Sequence, residues 1–185
     1  DYFQSTRGGG NGDYYVIVLA PSSVQEMADF MDLAFTLAFK YRMPAMILSD
    51  GVIGQMMEKV VLPPVKPRRT EEEIKKECPW ATFGRTPDRK PNIITSLELQ
   101  PEVMEIRNQK LLKKYELVKE NEVRYETSQC EDADYLFVAF GSAARISEKA
   151  MELAREAGLK VGLFRPITLW PFPEKQLEAL AKGKK

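Results

Sequence analysis

The chain has 185 residues, 44% of them hydrophobic, and its 27 Lys and Arg are balanced by 27 Asp and Glu. That is enough apolar material for one large domain or two small ones, and the neutral balance gives no electrostatic reason to bind nucleic acid or an anionic membrane. No apolar run nears the roughly 20 residues that a spanning helix needs, so neither nucleic acid nor membrane is an expected partner. Histidine is absent, which excludes Ser-His-Asp and Cys-His catalysis and histidine metal ligation within this chain. Cys78 and Cys130 stand far apart and no C-x-x-C occurs, so this chain alone cannot hold an iron–sulfur cluster or a Cys-rich zinc site. Free thiols in a reducing, cytoplasmic setting are the expected state. The chain opens at Asp1 in mid-pattern, and is read as a piece of a longer polypeptide.

Gly8 to Asp13 is too rich in glycine for a helix or a sheet ladder. Tyr14 to Ala20 is apolar without alternation, as in a strand covered on both faces, and Pro21 stops it. Ser23 and Glu26 match a capping box at the start of a helix that should run to about Arg42, before Pro44. Gln25, Asp29, Asp32, Thr36 and Lys40 form its one polar stripe, which predicts packing on more than one side. Ala45 to Leu48 is the next strand. Two buried strands joined by one helix predict a right-handed βαβ unit with parallel strands. Asp50 falls at the carboxyl end of the second strand, where open α/β sheets place ligands; the alternative is that it starts the turn at Gly51. Residues 51–58 read as a short helix or an ordered loop.

Composition changes at Val60, where seven of the chain's 12 prolines begin, between Pro63 and Pro101. Proline without glycine predicts stiff, extended chain. Lys66, Arg68 and Arg69 are answered by Glu71, Glu72 and Glu73, a solvated helical turn or a weak phosphate site. Helical spacing of Met104, Leu111, Tyr115, Val118 and Tyr125 predicts a helix over 102–126, its apolar stripe broken only by Glu122. That helix either bridges two domains, packs on a partner or caps the second domain.

Tyr135 to Phe140 is another buried strand. Ser142 is the predicted cap of a helix over 143–157, Gly158 its C′ residue, and residues 160–164 the following strand, a second βαβ unit. Gly141-Ser142 could alternatively receive an anion at the helix start. Arg145 opposes the macrodipole of the first turn and so should have a partner elsewhere. Arg165 to Pro173, with three prolines and two large aromatics, predicts a rigid apolar surface that covers a domain, meets a subunit or packs on its own sheet. A last helix starts near Glu174. Two strands are too few for a free-standing sheet, so more of this unit is expected downstream.

Taken in order, Gly8-Gly9-Gly10-Asn11-Gly12-Asp13, Leu19-Ala20-Pro21-Ser22-Ser23-Val24-Gln25-Glu26, Leu48-Ser49-Asp50-Gly51, Phe140-Gly141-Ser142-Ala143-Ala144-Arg145 and Arg165 to Pro173 closely resemble the alpha subunit of thiamine-diphosphate-dependent 2-oxoacid:ferredoxin oxidoreductases, nearest to the 2-oxoisovalerate (branched-chain) type. The resemblance covers essentially the whole chain. It implies an α/β fold: the later part of a pyrimidine-binding domain over 1–60, a proline-rich linker and bridging helix over 61–132, and the start of a transketolase-C-like three-layer domain over 133–185, both domains with mainly parallel sheets. It implies oxidative decarboxylation of a 2-oxoacid to its acyl-CoA with electrons passed to ferredoxin. The cofactors implied are thiamine diphosphate with Mg²⁺, shared with a beta subunit, coenzyme A as co-substrate, and an iron–sulfur cluster on a partner. The partners implied are beta and gamma/delta subunits and ferredoxin.

No catalytic residue and no metal ligand is expected in this chain, because the family's glutamate on the aminopyrimidine and its substrate-carboxylate groups are implied to lie upstream. Family members often carry histidine where Asn11 stands, so no proton-handling role is carried over to it. The cofactor-binding candidates are Thr6, Arg7, Gly9, Gly10, Asn11 and Asp13, in the loop beside the thiamine and substrate pocket, with Asp50. Arg7 is suited to a carboxylate or a CoA phosphate. Two other readings stay open: a 2-oxoacid dehydrogenase E1-beta or transketolase-type subunit, and a non-catalytic module that assembles subunits through Trp170 and Phe172.

Overall fold

A computed structural model describes residues 2–9, 12, 14–85, 87–91, 93–95 and 97–184. The chain divides into two compact units, Asp1–Leu62 with Leu111–Lys185, and Pro63–Lys110.

The first unit carries two three-stranded sheets. In one, β1 (Ile17–Leu19) and β2 (Ala45–Ile47) pair in parallel, Ile17 opposite Ala45, and are joined by α2 (Val24–Tyr41). The predicted crossover is there, though β1 is shorter than the apolar run 14–20. β6 (Thr168–Trp170) adds to the other side of β1, antiparallel, giving the order β2-β1-β6. In the second sheet β4 (Tyr135–Val138) and β5 (Val161–Pro166) are parallel, joined by α6 (Gly141–Glu156), and β3 (Tyr125–Ser128) pairs antiparallel with β5. Each sheet is therefore mixed rather than mainly parallel. The antiparallel strands come from residues read as the end of a helix and as a proline-rich surface. The second βαβ unit also has three strands, not two.

Helix α2 stops because Arg42 turns into the left-handed region (φ 48) and gives its N–H to the carbonyls of Ala38 and Phe39. Its N-terminus departs from the predicted capping box. Ser23 Oγ accepts from the Glu26 N–H as expected, but the Glu26 carboxylate accepts from the N–H and hydroxyl of Ser22, not from Ser23. The helix buries Phe30, Leu37 and Tyr41, while Met31, Phe35 and Phe39 are exposed, so in this structure it packs on one side only.

α5 (Pro101–Asn121) is shorter than the periodicity suggested, because Tyr125 has left the helix for β3. Its Tyr115 and Val118 join Ile17, Val18, Leu37, Tyr41, Leu169 and Trp170 in the main core. Full burial of one such aliphatic side chain stabilises by about 1.5–3 kcal/mol relative to exposure. Trp170 stacks on Tyr15 at 4.9 Å and meets the Tyr115 ring edge-on at 5.6 Å. Trp170 is thus buried against its own sheet, which removes it as a subunit contact. Glu122, the break in the apolar stripe, has a physical reason. It is buried and accepts from Lys40 Nζ (2.6 Å), the Tyr41 hydroxyl (2.6 Å) and Arg124 (2.8 Å).

In the second unit, α4 (Glu71–Glu77) carries a complete capping box between Thr70 and Glu73. Phe83 has Lys75 Nζ 5.5 Å and the Arg89 guanidinium 5.2 Å from its ring centre. Both cysteines are free and buried.

Candidate functional site: the glycine turn and its clefts

The turn begins where α1 (Tyr2–Thr6) ends. Thr6 is not in the loop: it closes the helix, buried, with its hydroxyl donated to the Tyr2 carbonyl at 2.8 Å. The Arg7 N–H donates to Phe3 O (2.8 Å) and the Gly9 N–H to Gln4 O (3.1 Å), which wraps the chain back over α1. Gly8 sits at φ +73, and a Cβ there would lie 2.6 Å from the Gly12 carbonyl oxygen; a Cβ on Gly9 would strike the Gln4 carbonyl. Glycine is required at this turn for conformation at one position and for closeness at the next. Gly10, Asn11 and Asp13 lie outside the described residues.

Two clefts open on either side of this turn. One, of about 430 Å³, is lined by Gln4, Ser5, Gly8, Gly9, Tyr14, Val16 and Met46. The other, of about 280 Å³, is lined by Thr6 and Arg7 together with Tyr15, Lys119, Trp170, Phe172 and Glu174. The exposed Arg7 guanidinium stands 5.9 Å from the centre of the Phe3 ring. Lys119 and Glu174 carried no sequence signal: each looks like any surface charge, and only the return of the chain at β6 brings them near Arg7.

Asp50 lines neither cleft. It is the N-cap of α3 (Gly51–Gln55), its Oδ1 accepting from the Ile53 N–H at 2.9 Å, and its Oδ2 accepts from the Ser142 N–H at 2.8 Å. Burial pushes its pKa up, but these N–H donors outweigh that and hold it below the usual carboxylate range. Ser142 is accordingly not the cap of α6; Phe140 holds that position and caps with no side chain. Where an anion was the alternative reading, the chain supplies its own. Gly141 makes room for it: its φ is +61, and a Cβ there would lie 2.9 Å from Asp50 Oδ2.

The same seam holds the two sheets of the first unit together. Arg165 grips Glu26 with two bonds of 2.6 and 3.0 Å, and also reaches Ser22 Oγ and Glu126. Burial would raise the Glu26 pKa, yet the hydrogen bonds from Arg165 and from the Ser22 amide leave it lowered. Arg145 has the partner its position called for, Glu58 at 2.8 Å. Glu58 in turn accepts from the Val24 N–H at the start of α2.

Residues 2–128 match the family model described as pyruvate flavodoxin/ferredoxin oxidoreductase, thiamine diP-bdg. The chain belongs to this family. Residues 133–185 match the pyruvate:ferredoxin oxidoreductase core domain II. The chain is 47% identical over 183 residues to ketoisovalerate oxidoreductase subunit VorB of Methanothermobacter marburgensis, covering 99% of this chain and 50% of that protein. It is 36% identical over 196 residues to 2-oxoglutarate synthase subunit KorA of Methanocaldococcus jannaschii, covering 97% and 53%. The chain therefore spans about half the length of the curated relatives it matches. The fold is shared with a 2-oxoglutarate:ferredoxin oxidoreductase from Magnetococcus marinus, solved with 2-oxoglutarate, coenzyme A and succinyl-CoA bound, at a TM-score of 0.72, 23% identity, and coverage of 99% of this chain and 36% of that one. Among the described residues no helix is long and apolar enough to cross a membrane.

Proposed function

We propose that this chain is part of an alpha-type subunit of a cytoplasmic 2-oxoacid:ferredoxin oxidoreductase. The enzyme would convert a branched-chain 2-oxoacid and coenzyme A to the acyl-CoA and pass the electrons to ferredoxin. The observation that carries this reading is the family match over residues 2–128, which takes in the turn that walls both clefts. The similarity to ketoisovalerate oxidoreductase subunits favours the branched-chain substrate. The family match also favours this reading over the E1-beta alternative.

Thiamine diphosphate, when bound, supplies the electron-sink chemistry that lets a 2-oxoacid lose carbon dioxide. This chain's part is to shape and position. The Gly8-Gly9 backbone, Tyr14, Val16 and Met46 offer a low wall, free of side-chain charge, against which a flat heteroaromatic ring can lie. Gly10, Asn11 and Asp13 are assigned to cofactor binding from their place in the sequence alone, and Arg7 pairs with an anionic group on the substrate side. Asp50 has a positioning part, since both its oxygens are taken by Ile53 and Ser142. As the resemblance implies, the diphosphate with its Mg²⁺ is assigned to a beta subunit, and the iron–sulfur cluster to another partner.

The test is to purify the native complex that contains this chain and follow ferredoxin reduction with 2-oxoisovalerate and CoA. Turnover that needs both, and that loses about tenfold or more in kcat/KM on Arg7→Ala, is expected for a lost charge-assisted contact. An assembled complex that turns over no 2-oxoacid would overturn the reading.

A further inference from the structure

Helix α6 has two apolar faces, and one of them is open. Ala144 and Met151 are buried, Met151 in a cluster with Val161 and Leu163 of β5. Ile146, Ala150 and Leu153, at spacings of four and three, make a second stripe. Ile146 is 71% exposed and Leu153 is 54% exposed. With Val52 and Met56 of α3 this stripe lines a single groove of about 490 Å³. Scattered apolar side chains on a surface are ordinary, whereas a contiguous strip marks a place where something docks.

The charges along its edge identify the occupant. Arg145, Lys149, Glu152 and Glu156 follow one flank of the stripe at spacings of four, three and four, so the flank is basic in its first half and acidic in its second. Such an order is its own complement when reversed. Laid against a second α6 running the opposite way, with Ala150 of both copies at the crossing, Ile146 of each meets Leu153 of the other. Lys149 of each then meets Glu152 of the other, and Arg145 meets Glu156. A parallel pair would set Lys149 beside Lys149. The existing contacts leave this open. Lys149 holds Glu152 of its own chain at 2.7 Å, but both are exposed, and a surface pair of that kind is worth little. Arg145 is bonded to Glu58 and the Ser22 carbonyl, which leaves N–H groups of its guanidinium for a further acceptor.

We infer that α6 forms the seam of a two-fold dimer of this chain, packed antiparallel on its counterpart. The inference goes beyond the enzymatic reading and does not rest on it. α6 has 16 residues, about 24 Å of helix, and one helix pair buries less than the ~800 Å² per partner of a standard interface. A weak dimer is therefore expected, with a dissociation constant on the order of 10 μM. Well below that concentration the chain unfolds as a monomer.

The test is sedimentation equilibrium of the full chain across that range. Ile146→Asp puts a charge into the seam and should abolish association. Lys149→Glu should weaken it about tenfold, because a two-fold axis makes each change count twice, and Glu152→Lys should do the same. Mixed together, those two weakened variants should dimerise with each other about as well as the unaltered chain, since each then carries the charge its counterpart needs. All three side chains are exposed, so these changes leave the fold intact. A chain that stays monomeric well above about 10 μM would leave the groove to an unlike subunit and overturn the inference. Association that survives Ile146→Asp or is undiminished by Lys149→Glu would overturn it too, as would a mixture of the two charge variants that stays monomeric.

Discussion

Helix α2 is fastened at both ends by a buried charge, and the two fastenings differ in where their partners can go. At the C-terminal end the Glu122 side chain is 3% exposed, but its cations Lys40 and Arg124 are 55% and 31% exposed. At the N-terminal end the buried group is the cation itself. The Arg165 side chain is 7% exposed, held by Glu26 at 21% and by the more open Glu126 at 62%. If Glu122 is lost, Lys40 and Arg124 can turn to water, and only the Tyr41 hydroxyl stays behind without its acceptor. If Glu26 is lost, Arg165 cannot leave, because it sits within β5. What makes a buried pair costly to break is the charge that remains desolvated, so the two ends should not respond alike. Both obey the helix macrodipole, with Glu26 in the first turn and Lys40 in the last.

Breaking the N-terminal end should have the largest effect. Glu26→Ala leaves Arg165 with the open Glu126 and the Ser22 hydroxyl and should cost about 3 kcal/mol, read as a lower urea midpoint at unchanged slope. A loss no greater than that of Glu122→Gln would end the distinction between the ends. Gly141→Ala tests the other attachment in the same seam. It forces an L residue into the left-handed region and crowds Asp50, so about 2 kcal/mol is expected, roughly one part conformational and one part the Ser142 bond. Glu122→Gln keeps a hydrogen-bond acceptor for Tyr41 and should cost about 1 kcal/mol.

Acid titration sharpens the contrast further. Glu26 and Glu122 both sit below the usual carboxylate range, because their hydrogen bonds to Arg165 and Ser22, and to Lys40, Tyr41 and Arg124, outweigh burial. A lowered folded-state pKa means that the stabilisation is complete above the unfolded-state value and disappears as pH falls through the folded-state value. Stability should therefore be flat near neutrality and decline in acid, with a shallower decline in Glu26→Ala. A slope unchanged by that substitution would show that Glu26 is not among the groups that drive it. Smallest of all, Lys149→Ala removes an exposed i,i+3 pair with Glu152 and should leave the midpoint unmoved.

Much of this was legible in the chain. The two βαβ units, the ends of α2 and the family itself could be read because they depend on local order: apolar runs, a cap, a proline, and glycines in a fixed sequence. Glu122 was visible as an interruption but not as a site, since its partners Lys40 and Tyr41 lie more than 80 positions away. Ser142 looked like a helix cap because serine before a helix usually is one; Asp50, 92 positions earlier, took its N–H instead. Thr168 to Trp170 looked like a surface because prolines flank it, yet it completes the first sheet.

The amino-acid order alone determined which segments must be buried, where the main crossover helices begin and end, and the family to which the chain belongs, since each follows from neighbours within a few turns. Only the tertiary structure decided that both sheets are mixed, that Arg165 closes on Glu26, and that Arg7 and Lys119 share a cleft. Those outcomes depend on which distant segments meet, and a charge or a strand carries no local mark of the partner that will satisfy it.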